Sequence, residues 1–147
     1  MDLALAIQNA IETEKSAARF YKRLALHTSN ADARSALENL SAEEETHAKA
    51  LEDWGRQIAS EPVPWQYPTS FELIESAPGW SEAENVTVEE ALHIALEAET
   101  QATLYYDAIA ESINQRPLTE FFNTMAKTEE THIVAVQRMI KKYCSPP

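Results

Sequence analysis

The sequence predicts an all-α fold: a four-helix bundle made of two helical hairpins joined by a long crossover. Three observations predict it. Only two of the 147 residues are glycine, while Ala, Glu and Leu are plentiful, a composition that favours long helices. Four segments carry apolar residues at steps of three and four, the period of a helix with one buried face. The segments also come in pairs, separated by a proline- and aromatic-rich stretch, as in a bundle with one crossover.

The first helix is expected from about Asp2 to Thr28, with Ile7, Ala10, Glu14, Ala17, Tyr21 and Leu24 on its inner stripe. Ser29 and Asn30 supply turn and cap chemistry before a second helix from about Ala31 to Ile58. Its stripe is Leu37, Leu40, Glu44, His47, Leu51 and Trp54. A third helix opens at Thr87-Val88-Glu89-Glu90, a capping box in which Thr87 and Glu90 satisfy each other's amides. Its stripe is Leu92, Ala95, Glu99, Ala102, Tyr106, Ile109 and Ile113. Pro117 marks the start of a fourth helix that turns Phe122, Met125, Glu129, His132, Val136 and Met139 inward. The chain is thus expected to be one domain over 1–147, with hairpin 1 at about 2–58, the crossover at about 60–85 and hairpin 2 at about 87–142. A structureless loop of that length is uncommon in a compact domain. The aromatics Trp65, Tyr67, Phe71 and Trp80 therefore predict a crossover packed on the bundle, with a short helix near residues 70–76.

Bulk properties narrow the function. A formal charge of −12 argues against nucleic acid, whose phosphates it would repel. Cys144 is the one cysteine, so the chain holds no internal disulfide, no Cys-x-x-Cys pair and no rubredoxin-type iron centre. The lack of disulfides fits a reducing, cytoplasmic setting. The opening Met1-Asp2-Leu3 has no basic region leading into an apolar run, so no secretory signal is expected. No stretch approaches the roughly 20 apolar residues of a membrane span.

The chemistry lies in a repeat. Glu44-Glu45-Thr46-His47 returns as Glu129-Glu130-Thr131-His132, 85 positions on, and the same displacement carries Glu14 onto Glu99 and Tyr21 onto Tyr106. Each of Glu14, Glu44, Glu99 and Glu129 is flanked at helical spacing by apolar residues, so each helix turns one carboxylate inward. Four buried carboxylates must protonate or find cations, and no Lys or Arg shares their stripe. Metal ions are the compensation this pattern predicts. Glu44 with His47, and Glu129 with His132, are three apart on one helical face, so each pair can present an oxygen and a nitrogen together. Four carboxylates balance two divalent ions. An oxygen-rich shell with imidazole suits iron or manganese, with zinc able to bind as well. By contrast Glu12, Glu43, Glu45, Glu97 and Glu130 read as solvated faces, and His27 and His93 as surface residues. Tyr21 and Tyr106 read either as core aromatics or as hydroxyl donors to a ligand carboxylate. Seven residues separate each tyrosine from the glutamate on its own helix, so the contact would run across the bundle.

On these residues, Glu14 and Glu99 with Glu44-x-x-His47 and Glu129-x-x-His132, the chain resembles the rubrerythrin-like di-iron proteins of the ferritin-like superfamily. The resemblance covers the four helical segments and not the crossover. It implies two iron ions bridged by Glu44 and Glu129, with Glu14, Glu99, His47 and His132 as terminal ligands. It further implies reduction of peroxide, or activation of dioxygen, with electrons from an external rubredoxin- or flavoprotein-type donor, and assembly into a homodimer or higher homo-oligomer. Two other activities belong to similar proteins: iron oxidation for storage, and hydroxylation of an organic substrate. The chain departs from the usual rubrerythrin pattern at Ala102, where typical members carry a further glutamate, and in having no rubredoxin-type cysteines. Both departures bear on turnover rather than on the helical arrangement.

Overall fold

The computed structural model describes residues 2–65 and 86–144, and within them the chain forms four helices: α1 Leu3–Leu26, α2 Ala31–Ser60, α3 Val88–Glu111 and α4 Arg116–Tyr143. Helices α1 and α2 pair as one hairpin and α3 and α4 as the other, with further contacts from α2 to α4 and from α1 to α3. No helix is long and apolar enough to cross a membrane among the described residues.

Local chemistry fixes the helix ends. The Asp2 carboxylate accepts from the Leu5 amide at 2.7 Å and the Asn30 side chain from the Ala33 amide at 3.0 Å, each supplying a partner that the first turn lacks. Gln115 caps α4 through the Leu118 amide at 3.0 Å, and Pro117 occupies the first turn, where its missing N–H leaves no bond unmade. Thr87 accepts from the Glu90 amide at 3.1 Å as the capping box requires. The reciprocal half differs from expectation: the Glu90 carboxylate accepts from the Thr87 hydroxyl at 3.1 Å, not from the Thr87 amide.

The inward stripes follow the helical period, and they separate into two apolar clusters. One gathers Ile7, Ala10, Leu51, Tyr106, Ile109, Phe122 and Met125, with Trp54, Val63 and Trp65 packed on its flank. The other gathers Ala17, Tyr21, Leu37, Leu40, Leu92, Ala95, Val136 and Met139. Ties across the bundle hold the helices in register. The Ser41 hydroxyl donates to the Ala18 carbonyl at 2.7 Å, and the Tyr105 hydroxyl to the Ala6 carbonyl at 3.0 Å. Trp65 forms an antiparallel bridge with Ile113, so the start of the crossover does lie on the bundle. The rest of the crossover, with Tyr67, Phe71, Trp80 and the short helix expected near 70–76, lies outside the described residues.

Candidate metal centre

Between the two apolar clusters lies a polar layer. Glu14, Glu44, Glu99, Glu129 and His132 are each 1% exposed, one contributed by α1, one by α2, one by α3 and two by α4. His47 of α2 joins them with its side chain 15% exposed. All six residues that the repeat singled out therefore meet in one place. Their burial follows from the sequence, because each sits on an apolar stripe that the hairpins press together.

The six side chains form two overlapping groups. Ligand atoms of Glu14, Glu44, His47 and Glu129 lie within 4.8 Å of one another, as do those of Glu44, Glu99, Glu129 and His132. Glu44 and Glu129 are common to both. His47 Nδ1 is 3.2 Å from Glu129 Oε1 and 3.7 Å from Glu14 Oε1. His132 Nδ1 is 2.6 Å from Glu44 Oε1, 3.4 Å from Glu129 Oε2 and 3.6 Å from Glu99 Oε2. The two imidazoles stack, with centroids 5.8 Å apart and planes 17° from parallel.

Close as they are, these atoms meet as ion-pair contacts and not as aligned hydrogen bonds. Glu44 Oε1, His47 Nδ1, Glu99 Oε2, Glu129 Oε1 and His132 Nδ1 are buried without a directed hydrogen-bond partner among the described residues. Orphaned buried polar atoms are rare because each carries a desolvation cost of about 1–3 kcal/mol. Five of them aiming their lone pairs into one space is the geometry of a ligand set. Among the described residues the buried polar side chains include no Lys or Arg that would serve as the counter-charge. The donor set therefore fits two metal ions, one per group, with Glu44 and Glu129 placed to serve both.

Without a cation, protons take its place. Burial, and then the charges of Glu14, Glu129 and Glu99, push the Glu44 carboxyl well above the usual carboxylate range. Burial followed by Glu129 does the same for Glu99, although His132 opposes it. Glu14 moves the other way: burial would raise it, but Glu44, His47 and Tyr106 together hold it low. Burial disfavours the His47 cation, yet Glu129 and Glu14 beside it outweigh that and push it up to about 9. Burial likewise disfavours the His132 cation, but Glu129, Glu44 and Glu99 outweigh it and raise it well above its ordinary range. The buried cluster thus favours positive charge on its imidazoles and the neutral form of Glu44 and Glu99, while Glu14 is held toward its ionised form.

The tyrosines bind the cluster crosswise. The Tyr21 hydroxyl donates to Glu99 Oε1 at 2.8 Å and the Tyr106 hydroxyl to Glu14 Oε1 at 2.7 Å. Each tyrosine of one hairpin thereby holds a carboxylate of the other. Burial and the neighbouring carboxylates raise both phenols well above their ordinary range, so both remain donors.

Glu12, Glu45, Glu97 and Glu130 are exposed, as are His27 and His93, in keeping with their reading as surface residues. Glu43 corrects that reading. Its carboxylate is 57% exposed but folds back to accept from His132 Nε2 at 2.8 Å. The sequence carried one signal for it. Glu43 directly precedes a ligand-type glutamate, and 85 residues on the position is Thr128, so the repeat breaks there.

A family model described as Rubrerythrin matches residues 4–85 and 90–145. The chain belongs to the rubrerythrin family. Among solved structures it is similar to a Thermotoga maritima protein, provisionally assigned as a ferritin-like diiron-carboxylate protein. The TM-score is 0.75 at 18% identity, covering 97% of this chain and 96% of that one. That likeness establishes the ferritin-like bundle, which four helices in two hairpins already described. No curated protein matches the chain. The buried carboxylate and imidazole layer of this rubrerythrin-family chain is its candidate metal centre.

Proposed function

We propose that the chain is a di-iron oxidoreductase that reduces hydrogen peroxide at a centre held by Glu14, Glu44, His47, Glu99, Glu129 and His132. One observation carries this reading: five buried ligand atoms lack partners and converge in two groups that share Glu44 and Glu129. Iron is favoured over zinc because carboxylate oxygens outnumber imidazole nitrogens, and the four carboxylates balance two divalent charges.

Bound iron supplies the electrons and the Lewis acidity for cleaving an O–O bond. The chain's own groups supply everything else. Glu44 and Glu129 belong to both groups and would be the ligands common to the two ions. Glu14 and Glu99 are aimed by the Tyr106 and Tyr21 hydroxyls, whose protons stay in place and orient rather than titrate. The flanking apolar clusters keep bulk water from the layer and strengthen each electrostatic contact within it. Converting peroxide to two waters takes two electrons and two protons. An external donor of rubredoxin or flavoprotein type returns the electrons.

Protein loaded with iron, reduced and mixed with hydrogen peroxide should consume it in fixed proportion to its iron pairs. Glu44→Ala removes a group common to both positions and should abolish that consumption. A variant that reacts as fast as the parent protein would show that the chemistry lies elsewhere.

A further inference from the structure

We propose that Glu43 is a positioning residue that makes the two metal positions unequal, so that the position served by His132 fills first and holds its ion more tightly. The inference rests on the dinuclear reading above and goes beyond it, because nothing in a symmetric ligand set requires one ion to bind better than the other.

The argument starts from imidazole chemistry. A neutral imidazole has one N–H donor and one lone pair, and the partner of one nitrogen decides which role the other plays. His132 Nε2 donates to Glu43 Oε2 at 2.8 Å. That bond leaves Nδ1 with the lone pair, and Nδ1 is the atom facing Glu44, Glu99 and Glu129. Glu43 thus sets the ring plane before an ion arrives, and leaves Nδ1 as the nitrogen that gives up its proton when one binds. Its charge also makes Nδ1 a stronger base.

The other half has no such support. The position equivalent to Glu43 is Thr128, whose hydroxyl donates to the Thr124 carbonyl at 3.0 Å within its own helix. His47 makes its close approaches through Nδ1 alone, and no side chain among the described residues accepts from its Nε2. Its side chain is 15% exposed against 2% for His132. An ion there must select one tautomer from two and hold a ring that no side chain among the described residues braces through Nε2. Supports of this kind change metal affinity by about 10–100-fold.

Calorimetric titration of the metal-free protein with Co²⁺ reads the difference. The parent protein should bind two ions in steps of unequal affinity. Glu43→Ala should weaken the tighter step by about 10–100-fold and leave the other unchanged. Glu43→Gln keeps an acceptor oxygen without the charge and should fall between them. Thr128→Glu should tighten the weaker step. With one equivalent of Zn²⁺, the imidazole ¹⁵N shifts should move for His132 and not for His47, a signature that loss of a merely structural contact would not produce. Glu43 is exposed, so its variants leave the core intact. Equal affinities in the parent protein overturn the proposal, as does a Glu43→Ala effect on the weaker step or on neither. A stoichiometry below two in the parent protein overturns the dinuclear reading itself, and the inference with it.

Discussion

The half of the centre around His47 and the half around His132 come from the same repeated letters, yet the structure surrounds them differently. His132 is sealed, with its outer nitrogen held by Glu43, and it faces Glu99, whose carboxyl is pushed well above the usual carboxylate range by burial and by Glu129. His47 lies near the edge of the layer and faces Glu14, which is held ionised by its neighbours. Both halves share Glu44 and Glu129, so the difference comes from residues beside the inner stripes rather than on them. A repeat can duplicate a ligand set without duplicating its environment, because ligands are fixed by helical phase and surroundings by whatever flanks them.

The sharpest way to break this comparison is to remove a shared residue and an unshared one in parallel. Glu129→Ala should take the metal content from two ions to less than one, whereas Glu99→Ala should leave one ion, in the His47 half. Elemental analysis after loading and desalting measures both, and equal losses would mean that the halves are not separable. A smaller effect separates the tyrosines. Tyr106→Phe strips a donor from an ionised carboxylate and should cost the metal-free protein about 1–3 kcal/mol in urea unfolding. Tyr21→Phe strips one from a carboxyl that burial and Glu129 push toward its neutral form, and should cost less. The reverse order would contradict the charge states assigned to Glu14 and Glu99.

The mildest test is pH. His47 titrates near 6.5 when unfolded and near 9 when folded, so its stabilising contribution is complete below pH 6.5 and is lost as pH rises through 9. The raised carboxyls of Glu44 and Glu99 act in the same direction, because the folded state holds protons that the unfolded chain releases. The lowered Glu14 works in the opposite sense, but only as pH falls below 4.5. The metal-free Tm should therefore fall by a few degrees between pH 6.5 and pH 9. Loaded protein should change less, since ions have replaced the protons. A metal-free Tm that rises over this range would reverse the assignment.

Much of this could be read from the sequence, and for a definite reason. Glu14, Glu44, Glu99, Glu129 and His132 are buried because each occupies a stripe set by the 3.6-residue period, and that period is a property of the chain alone. Helix limits were legible where a cap residue marks them, as at Asp2, Asn30 and Thr87. What could not be read depends on how helices approach one another. Seven residues along a helix span about 10 Å, so Tyr21 cannot serve Glu14, and only the packing of α1 against α3 shows that its partner is Glu99. Glu43 was hidden for a related reason. It sits one residue, about 100°, off the inner stripe, and a flexible side chain on an exposed position betrays nothing of where it folds back. Trp54 was expected inside and lies half-buried on the flank, where its ring meets Phe121 at 5.8 Å.

The two apolar clusters above and below the polar layer also set an order of assembly. The apolar side chains of each pack on one another, and the Tyr21 and Tyr106 hydroxyls reach from them into the layer. The bundle can therefore finish folding while the layer still holds protons, unlike a small zinc domain that has no fold until its ion arrives. Any ion that entered would then exchange with protons inside a finished mould, rather than build the mould around itself.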